Sequence, residues 1–199
     1  MKKIVLATGN AGKVREFAQL LAEFDAEIIP QTQLNVSNVP ETGLTFVENA
    51  LIKARHAAEI TGLPAIADDS GIEVDALKGA LGIYSARFAG ENATDVDNNQ
   101  LLLQQLQAIP EAERTARYHC VIVYLRHALD PTPLICHGIW EGRVLTAPQG
   151  DNGFGYDPLF LIPDQQCTAA QMPPDLKNKL SHRGQAMREL QAALQARAL

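Results

Sequence analysis

The sequence predicts an α/β protein in which buried strands alternate with helices. Two short apolar runs point to this class, Ile4-Val5-Leu6 near the beginning of the chain and Ala65-Ile66-Ala67 further along. Continuous apolar runs of this length are typical of strands that a parallel sheet buries on both faces. A helical pattern follows the first run and another precedes the second. The 199 residues are enough for one domain with a sizeable core.

The first strand is expected from Lys3 to Thr8, and a tight turn, Gly9-Asn10-Ala11-Gly12-Lys13, follows it. The N-terminus of the next helix should favour anions, and Lys13 adds a full positive charge. The turn is not a Walker A loop, because only two residues separate its glycines and Val14 stands where Ser or Thr would hold magnesium. A phosphate cradle and a plain βα turn with a solvated lysine both stay open. The apolar face of this helix should comprise Val14, Phe17, Leu20, Leu21 and Phe24.

A second strand is expected from Glu27 to Pro30. The next helix should start at Phe46, because Thr45 and Glu48 form a T-x-x-E capping box. Gly62 and Pro64 should stop it after about Ile60.

Two charged residues near this helix are candidates for a ligand site. Lys53 lies among small residues of the helix, and it is either solvated or a phosphate ligand beside Asp69. Glu41 lies in the loop before the helix, and it is either a surface charge or a third oxygen ligand for a metal.

Two adjacent carboxylates, Asp68 and Asp69, follow the apolar run at residues 65–67, and we expect the strand to end there. Ligands usually bind beyond the carboxyl ends of strands in α/β proteins, and hard divalent cations prefer oxygen ligands. The alternative is a turn, since Asp-Ser-Gly at Asp69, Ser70 and Gly71 is good turn chemistry. Adjacent residues of an extended chain point in opposite directions, so the two carboxylates should not share one role.

The middle of the chain should contain one helix and a β-hairpin. A glycine-rich loop spans Lys78 to Gly82, and Asn92 or Thr94 can cap a helix that runs to about Gln107. The hairpin strands are expected at Ala116–Arg126 and Leu134–Leu145, joined by a polar turn.

The loop from Gly150 to Pro158 places Phe154 among glycines, and a strand is expected after it, from Leu159 to Ile162. An accessible aromatic ring suits stacking on a nucleobase, although a phenylalanine folded into the core fits the same pattern. Ser181 is a credible N-cap for the last helix. His182 and Arg183 would then lie in its first turn, where backbone N–H groups lack helical partners and can bind carbonyl oxygens; a structural role for His182 is the alternative.

Composition narrows the class of partner. The formal net charge is −6 and Lys and Arg are scattered, which argues against a polynucleotide partner. Cys120, Cys136 and Cys167 form neither a zinc motif nor a disulfide framework. No apolar run is long enough for a secretory or transmembrane segment. We expect a cytoplasmic protein without a membrane partner.

Six short motifs occur in one order along the chain: TGNAGK (8–13), ENALIKA (48–54), ADDSG (67–71), YSAR (84–87), GFGYDP (153–158) and SHRG (181–184). Together they resemble the inosine/xanthosine triphosphate pyrophosphatase family, in its bacterial form. The resemblance covers essentially the whole chain. Two departures are Leu81, where the family usually has proline, and Met172-Pro173-Pro174, where a helical, charged segment is usual.

The resemblance implies one nucleoside triphosphate pyrophosphatase domain over residues 1–199, with a long mixed β-sheet and flanking helices that form two lobes around an active-site cleft. It implies a Mg²⁺-dependent diphosphatase that converts ITP, dITP or XTP to the monophosphate and pyrophosphate, usually as a homodimer. The alternatives are a diphosphatase or triphosphatase for other nucleotides and a non-catalytic nucleotide-binding regulator.

The resemblance also assigns roles to residues. Asp69 matches the catalytic carboxylate, and Glu41 and Asp68 match its acidic neighbours in a metal site that includes Asp69. Donors near His182 and Arg183 would pair with the 6-carbonyl of the base. The substrate-binding set implied by the resemblance is Thr8, Gly9, Asn10, Ala11, Gly12, Lys13, Lys53, Ser70, Phe154, Gly155, Tyr156, Asp157, Lys177, His182 and Arg183.

Overall fold

The computed structural model describes residues 2–20 and 26–197. It contains a seven-stranded mixed sheet with flanking helices, which confirms the α/β class. The strands are β1 Lys2–Leu6, β2 Ala26–Pro30, β3 Ala65–Val74, β4 Thr115–Leu125, β5 Leu134–Val144, β6 Phe160–Ile162 and β7 Cys167–Thr168. The helices are α1 Ala11–Leu20, α2 Phe46–Thr61, α3 Asp95–Gln105, α4 Pro174–Leu180 and α5 His182–Ala196.

The strand order in the sheet is β2-β1-β3-β4-β5-β6-β7. β1 pairs in parallel with both β2 and β3, and Val5 lies opposite Ala65 in the second pairing. The two apolar runs that predicted the fold class are therefore neighbours. β5 and β6, and β6 and β7, pair antiparallel.

The chain divides into two compact units. Unit 1 comprises residues 1–69, 120–138 and 183–199, and unit 2 comprises residues 70–119 and 139–182. None of the helices in the described ranges is long and apolar enough to cross a membrane.

In unit 1 the strands bury both faces, and their side chains alternate between two apolar clusters. Ile66 packs in one cluster with Phe17 of α1 and Met187 of α5. Ala65 and Ala67 pack in the other with the small residues of α2, including Ala50, Ala54 and Ala57. The period-two alternation of a strand therefore sends successive β3 side chains toward different helices.

The core of unit 2 is built from the other halves of the long strands. Phe160 contacts both Tyr118 and Trp140 there, with ring centroids 4.7 Å and 5.4 Å from its own. Trp140 is a packing residue of this core, and Cys120 and Cys136 are buried core residues of unit 1.

Most predicted elements are confirmed to within two residues. α2 starts at Phe46 with Thr45 as its N-cap, and it ends at Gly62, whose φ is 67°. Thr94 and not Asn92 caps α3, which ends two residues before the expected Gln107. The apolar face predicted for α1 is described as far as Phe17, which is buried, and Leu21 and Phe24 lie outside the described residues.

The segment at 172–174 does not interrupt helix formation. Pro174 is the first residue of α4, where proline is well tolerated because its missing N–H would have no helical partner. The helix places Lys177 in a buried position.

The prediction that the third strand ends at the acidic pair is wrong. β3 continues through Asp68, Asp69, Ser70 and Gly71 to Val74. The two carboxylates are buried inside a strand because cationic side chains from distant parts of the chain compensate their charge. Gly71 is strand backbone and not a turn residue.

Gly71→Ala is expected to destabilise the protein by about 2 kcal/mol, as overpacking of a close contact typically does. A Cβ at Gly71 would overlap the carbonyl oxygen of Gly82 and lie 2.6 Å from the Oγ of Ser85. The Oγ of Ser85 is held in place, since it accepts a hydrogen bond from the N–H of Ile72 at 2.9 Å. Chemical denaturation measures the change, and Gly62→Ala is the control.

At Gly62 a Cβ meets no atom within 4 Å, and only the positive φ opposes the substitution. An effect at Gly71 no larger than that at Gly62 would contradict the steric argument.

Candidate active site

The acidic pair of β3 faces two directions, as the alternation of a strand requires. Asp68 lies on the same face of β3 as Ile66, and it contacts side chains of α1 and α5. Asp69 lies on the opposite face of β3, with Ala65 and Ala67, and it contacts side chains of α2. The expectation that the two carboxylates point in different directions is confirmed.

Asp69 is held by two residues of α2. Lys53 Nζ lies 3.1 Å from its Oδ1, and Asn49 Nδ2 donates to its Oδ2 at 3.3 Å. Burial raises the pKa of Asp69 above its usual value, and the positive charges of Lys53 and Lys13 oppose this only in part. A carboxylate whose ionised form is poorly solvated gains from taking up a proton or binding a cation.

Lys53 bridges two carboxylates, because its Nζ also lies 2.8 Å from Oε1 of Glu41. Burial favours the neutral amine, but the charges of Asp69, Asp68 and Glu41 outweigh it and raise the pKa of Lys53. The lysine is therefore positively charged and largely buried beside Asp69, the position in which it would be a phosphate ligand. Glu41 belongs to this charge cluster and is not an isolated surface carboxylate.

Asp68 is the more deeply buried of the pair. Its Oδ2 lies 2.7 Å from Nζ of Lys13 and 3.7 Å from Nη2 of Arg183, and its side chain has no exposed area. Burial opposes ionisation, but the positive charges of Lys13 and Arg183 prevail and lower the pKa of Asp68 to about 2. Asp68 is thus a fixed negative charge that neutralises two cations.

A further acidic residue, Glu16 of α1, contacts Arg183 and was not anticipated from the sequence. Arg183 Nη1 donates to Glu16 Oε2, and the guanidinium lies over the ring of Phe17 at 5.8 Å. The spacing within α1 carries a partial signal, since Glu16 is three residues after Lys13 and therefore lies on the same side of the helix.

The glycine turn before α1 is organised by its own side chains. Asn10 Oδ1 accepts hydrogen bonds from the N–H groups of Gly12 at 2.8 Å and Lys13 at 3.1 Å, so Asn10 caps the helix. Thr8 Oγ1 accepts from the N–H of Asn10 at 3.2 Å. Because these N–H groups already have partners, the strongest group that the turn contributes toward Asp68 is the ammonium of Lys13.

In unit 2 the loop around Phe154 is built on Asp157. Its Oδ2 accepts from the N–H of Phe154 at 3.0 Å and from Nζ of Lys177 at 2.7 Å. A Cβ at Gly153 would overlap this carboxylate, so the loop requires glycine there. Phe154 is half-buried, and Nζ of Lys177 lies 5.1 Å from the centroid of its ring.

His182 is a buried aromatic neighbour of the unit 2 core. Its ring stacks on Tyr118 with centroids 4.6 Å apart and planes 7° apart, and it lies 6.3 Å from the ring of Trp140. Its role in a binding site stays a prediction, as does that of the next residue, Arg183, which lies in unit 1.

The candidate site residues divide between the two units. Unit 1 contains the predicted catalytic and metal residues, Asp69, Asp68 and Glu41, with Lys13 and Lys53 among them. Within the described residues, no group of three or more His, Cys, Asp or Glu side chains is arranged to hold a metal ion. The remaining predicted binding residues are Thr8, Gly9, Asn10, Ala11, Gly12 and Arg183 in unit 1 and Ser70, Phe154, Gly155, Tyr156, Asp157, Lys177 and His182 in unit 2.

Comparison with known proteins covers nearly the whole chain. A sequence model of the Ham1 family matches residues 4–193. A protein of Vibrio parahaemolyticus named dITP/XTP pyrophosphatase is 63% identical over 196 residues, which is 98% of each chain. A protein of Escherichia coli O157:H7 with the same name is 60% identical over 194 residues, again 98% of each chain. The structure of a HAM1 protein from Coxiella burnetii is similar with a TM-score of 0.91 and 51% identity, covering 98% of this chain and 100% of the other.

Proposed function

The chain belongs to the Ham1 family, and we propose that it hydrolyses non-standard purine nucleoside triphosphates such as dITP, ITP and XTP to the monophosphate and pyrophosphate. The observation that carries the proposal is the cluster in unit 1, in which Lys13 and Lys53 contact Asp68 and Asp69. Positive groups for a triphosphate and a buried carboxylate for the attacking water are thus side by side.

We propose Mg²⁺ as the cofactor, with Glu41 and Asp69 as its protein ligands. Both carboxylates already converge on one cation, the ammonium of Lys53, at 2.8 Å and 3.1 Å. Mg²⁺ is commonly bound by one or two carboxylates together with substrate phosphates, and not by an all-protein cage. Two carboxylates therefore fit magnesium better than a metal that needs a complete protein ligand set. When bound, the ion would neutralise phosphate oxygens and stabilise charge on the leaving pyrophosphate.

In this mechanism Asp69 accepts the proton of the attacking water. Its carboxylate is placed for this role beside Lys53, whose ammonium lies 3.1 Å from Oδ1 of Asp69 and would hold a phosphate. Lys53 and Lys13 hold the phosphates with fixed positive charge, so little reorganisation accompanies the reaction. Asp68 stays ionised because its pKa is low, and its carboxylate holds the ammonium of Lys13 in place.

Base recognition in this proposal belongs to unit 2. Phe154 supplies a ring face for stacking, and donors near His182 pair with the 6-carbonyl of inosine or xanthosine. A site built to hydrogen-bond one group rejects an analogue that lacks it by roughly 10⁴–10⁵-fold. Adenosine carries an amino group at this position and should be a poor substrate.

The proposal extends to the state of the protein in the cell. We propose a homodimer that acts on free nucleotides in the cytoplasm, since the family resemblance implies a dimer and the net charge of −6 disfavours a polynucleotide substrate.

The proposal is tested with ITP, XTP, dITP, GTP and ATP, each with Mg²⁺, by measuring pyrophosphate and orthophosphate separately. We expect pyrophosphate from the first three and at least about 100-fold lower kcat/KM with ATP. Chelation of the metal should abolish the activity, and added Mg²⁺ should restore it. Orthophosphate as the product would indicate a triphosphatase instead, and tight ITP binding without turnover would indicate a regulator.

A further inference from the structure

Helix α3 holds the loop that carries Phe154. It does so by hydrogen bonds to the backbone N–H and the backbone carbonyl oxygen of one loop residue, Gly155. The N–H of Gly155 donates to Oδ2 of Asp95 at 2.7 Å, and the carbonyl oxygen of Gly155 accepts from Nδ2 of Asn99 at 2.9 Å. The two side chains come from positions 56 and 60 residues away in the sequence. One turn of α3 therefore binds both the N–H and the carbonyl oxygen of Gly155.

The spacing of the two residues makes this clamp possible. Asp95 and Asn99 are four residues apart and thus lie on the same face of α3. Asn99 Nδ2 also donates to the carbonyl oxygen of Asp95 at 2.8 Å, which ties the two together. Thr94 and Asp97 form a capping box that fixes the start of the helix independently of the loop.

Other contacts also hold this loop. Asp157 accepts from the N–H of Phe154, and the hydroxyl of Tyr156 donates to the carbonyl oxygen of Ser85 at 2.7 Å. Gly155 lies between these two residues and has a φ of 62°, a conformation accessible mainly to glycine. Without the contacts from Asp95 and Asn99, the peptide groups on both sides of Gly155 lose their hydrogen bonds to α3, and the orientation of the Phe154 ring is less restrained.

We propose that Asp95 and Asn99 are positioning residues for base recognition: by holding the peptide groups of Gly155 they orient Phe154 for stacking on the purine. This inference rests on the proposed function of the loop. Neither residue touches the substrate, so their loss weakens binding of the base without altering the chemical step.

The kinetic test compares Asp95→Ala and Asn99→Ala with the unchanged protein. We expect KM for ITP to rise about fivefold for each variant, as loss of one hydrogen bond to the backbone implies, with kcat within about twofold. Asp95→Asn keeps an oxygen acceptor and should restore most of the affinity. Inhibition by inorganic pyrophosphate, which has no base, should be unchanged.

Asp97→Ala is the matched control, because it removes a carboxylate two residues from Asp95 that caps α3 and does not contact the loop. It should lower stability and leave KM unchanged. A fall in kcat at constant KM in Asp95→Ala, or an equal KM effect in Asp97→Ala, would overturn the proposal.

Amide hydrogen exchange separates this inference from the proposed function, since it requires no substrate. The N–H of Gly155 should exchange at least about tenfold faster in Asp95→Ala than in Asp97→Ala. If the unchanged protein does not hydrolyse ITP, the proposed function fails while this measurement still tests the clamp. Equal exchange rates at Gly155 in the two variants would overturn the clamp whatever the substrate.

Discussion

Asp69→Asn is expected to lower kcat for ITP by about 10³-fold or more and to change the free energy of unfolding by no more than about 1 kcal/mol. The activity falls because an amide can neither accept the proton of the attacking water nor contribute a negative charge to a Mg²⁺ site. Pyrophosphate release measures the first quantity, and chemical denaturation measures the second.

Stability should survive because the ionised form of Asp69 is unfavourable in its own site. Burial raises its pKa, so at neutral pH the native state carries a cost that the neutral amide lacks. Lys53 keeps its second partner, Glu41, at 2.8 Å, and Asn49 can donate to the new amide oxygen as it does to Asp69. No buried charge is left without compensation.

Glu73→Gln is the matched control, since Glu73 lies on the same strand and the substitution makes the same change of charge. Glu73 pairs with Arg117 and His119 in unit 2, at 3.4 Å and 2.9 Å. We expect near-normal kcat in this variant. Near-normal kcat in Asp69→Asn would remove Asp69 from the catalytic role.

The different contacts of the acidic pair follow partly from the sequence. Strand alternation separates Asp68 from Asp69. Phe17 of α1 packs with Ile66, which is two residues before Asp68 on the same face of β3. Lys13 lies one helical turn before Phe17, and it is therefore close to Asp68. The Lys13–Asp68 pair could therefore be predicted from residue spacing if the position of α1 on the sheet were known. That position depends on contacts between distant segments, which periodicity alone does not give.

The continuation of β3 past the carboxylates illustrates the same limit. Two adjacent aspartates normally signal the end of a buried strand, because an isolated buried charge is very costly. The cost is offset here by cations that include Arg183, more than a hundred residues later in the chain. The clamp of Asp95 and Asn99 on Gly155 is similarly invisible in the sequence, since both residues resemble ordinary helix-surface residues.

Asp68→Asn should show the reverse of the Asp69 result, a loss of stability of about 2–3 kcal/mol. Breaking a buried ion pair typically costs about 3–5 kcal/mol, but Lys13 is partly exposed and Arg183 keeps Glu16 as a partner, which reduces the loss. The lowering of the Asp68 pKa from 3.8 to about 2 corresponds to about 2 kcal/mol and agrees with this range. Chemical denaturation at pH 7 measures the difference.

The pH dependence identifies the source of that stability. Because the pKa of Asp68 is lowered in the folded state, its contribution to the free energy of unfolding is fully present above about pH 4. That contribution is lost as the pH falls toward about 2. The difference in unfolding free energy between the unchanged protein and Asp68→Asn should therefore be constant from pH 5 to 8 and shrink toward pH 2. A difference that persists unchanged at the acid end would mean that Asp68 stabilises the fold through its shape and hydrogen bonds. A vanishing difference would establish the negative charge of Asp68, held between Lys13 and Arg183, as the stabilising element next to Asp69, the proposed catalytic residue.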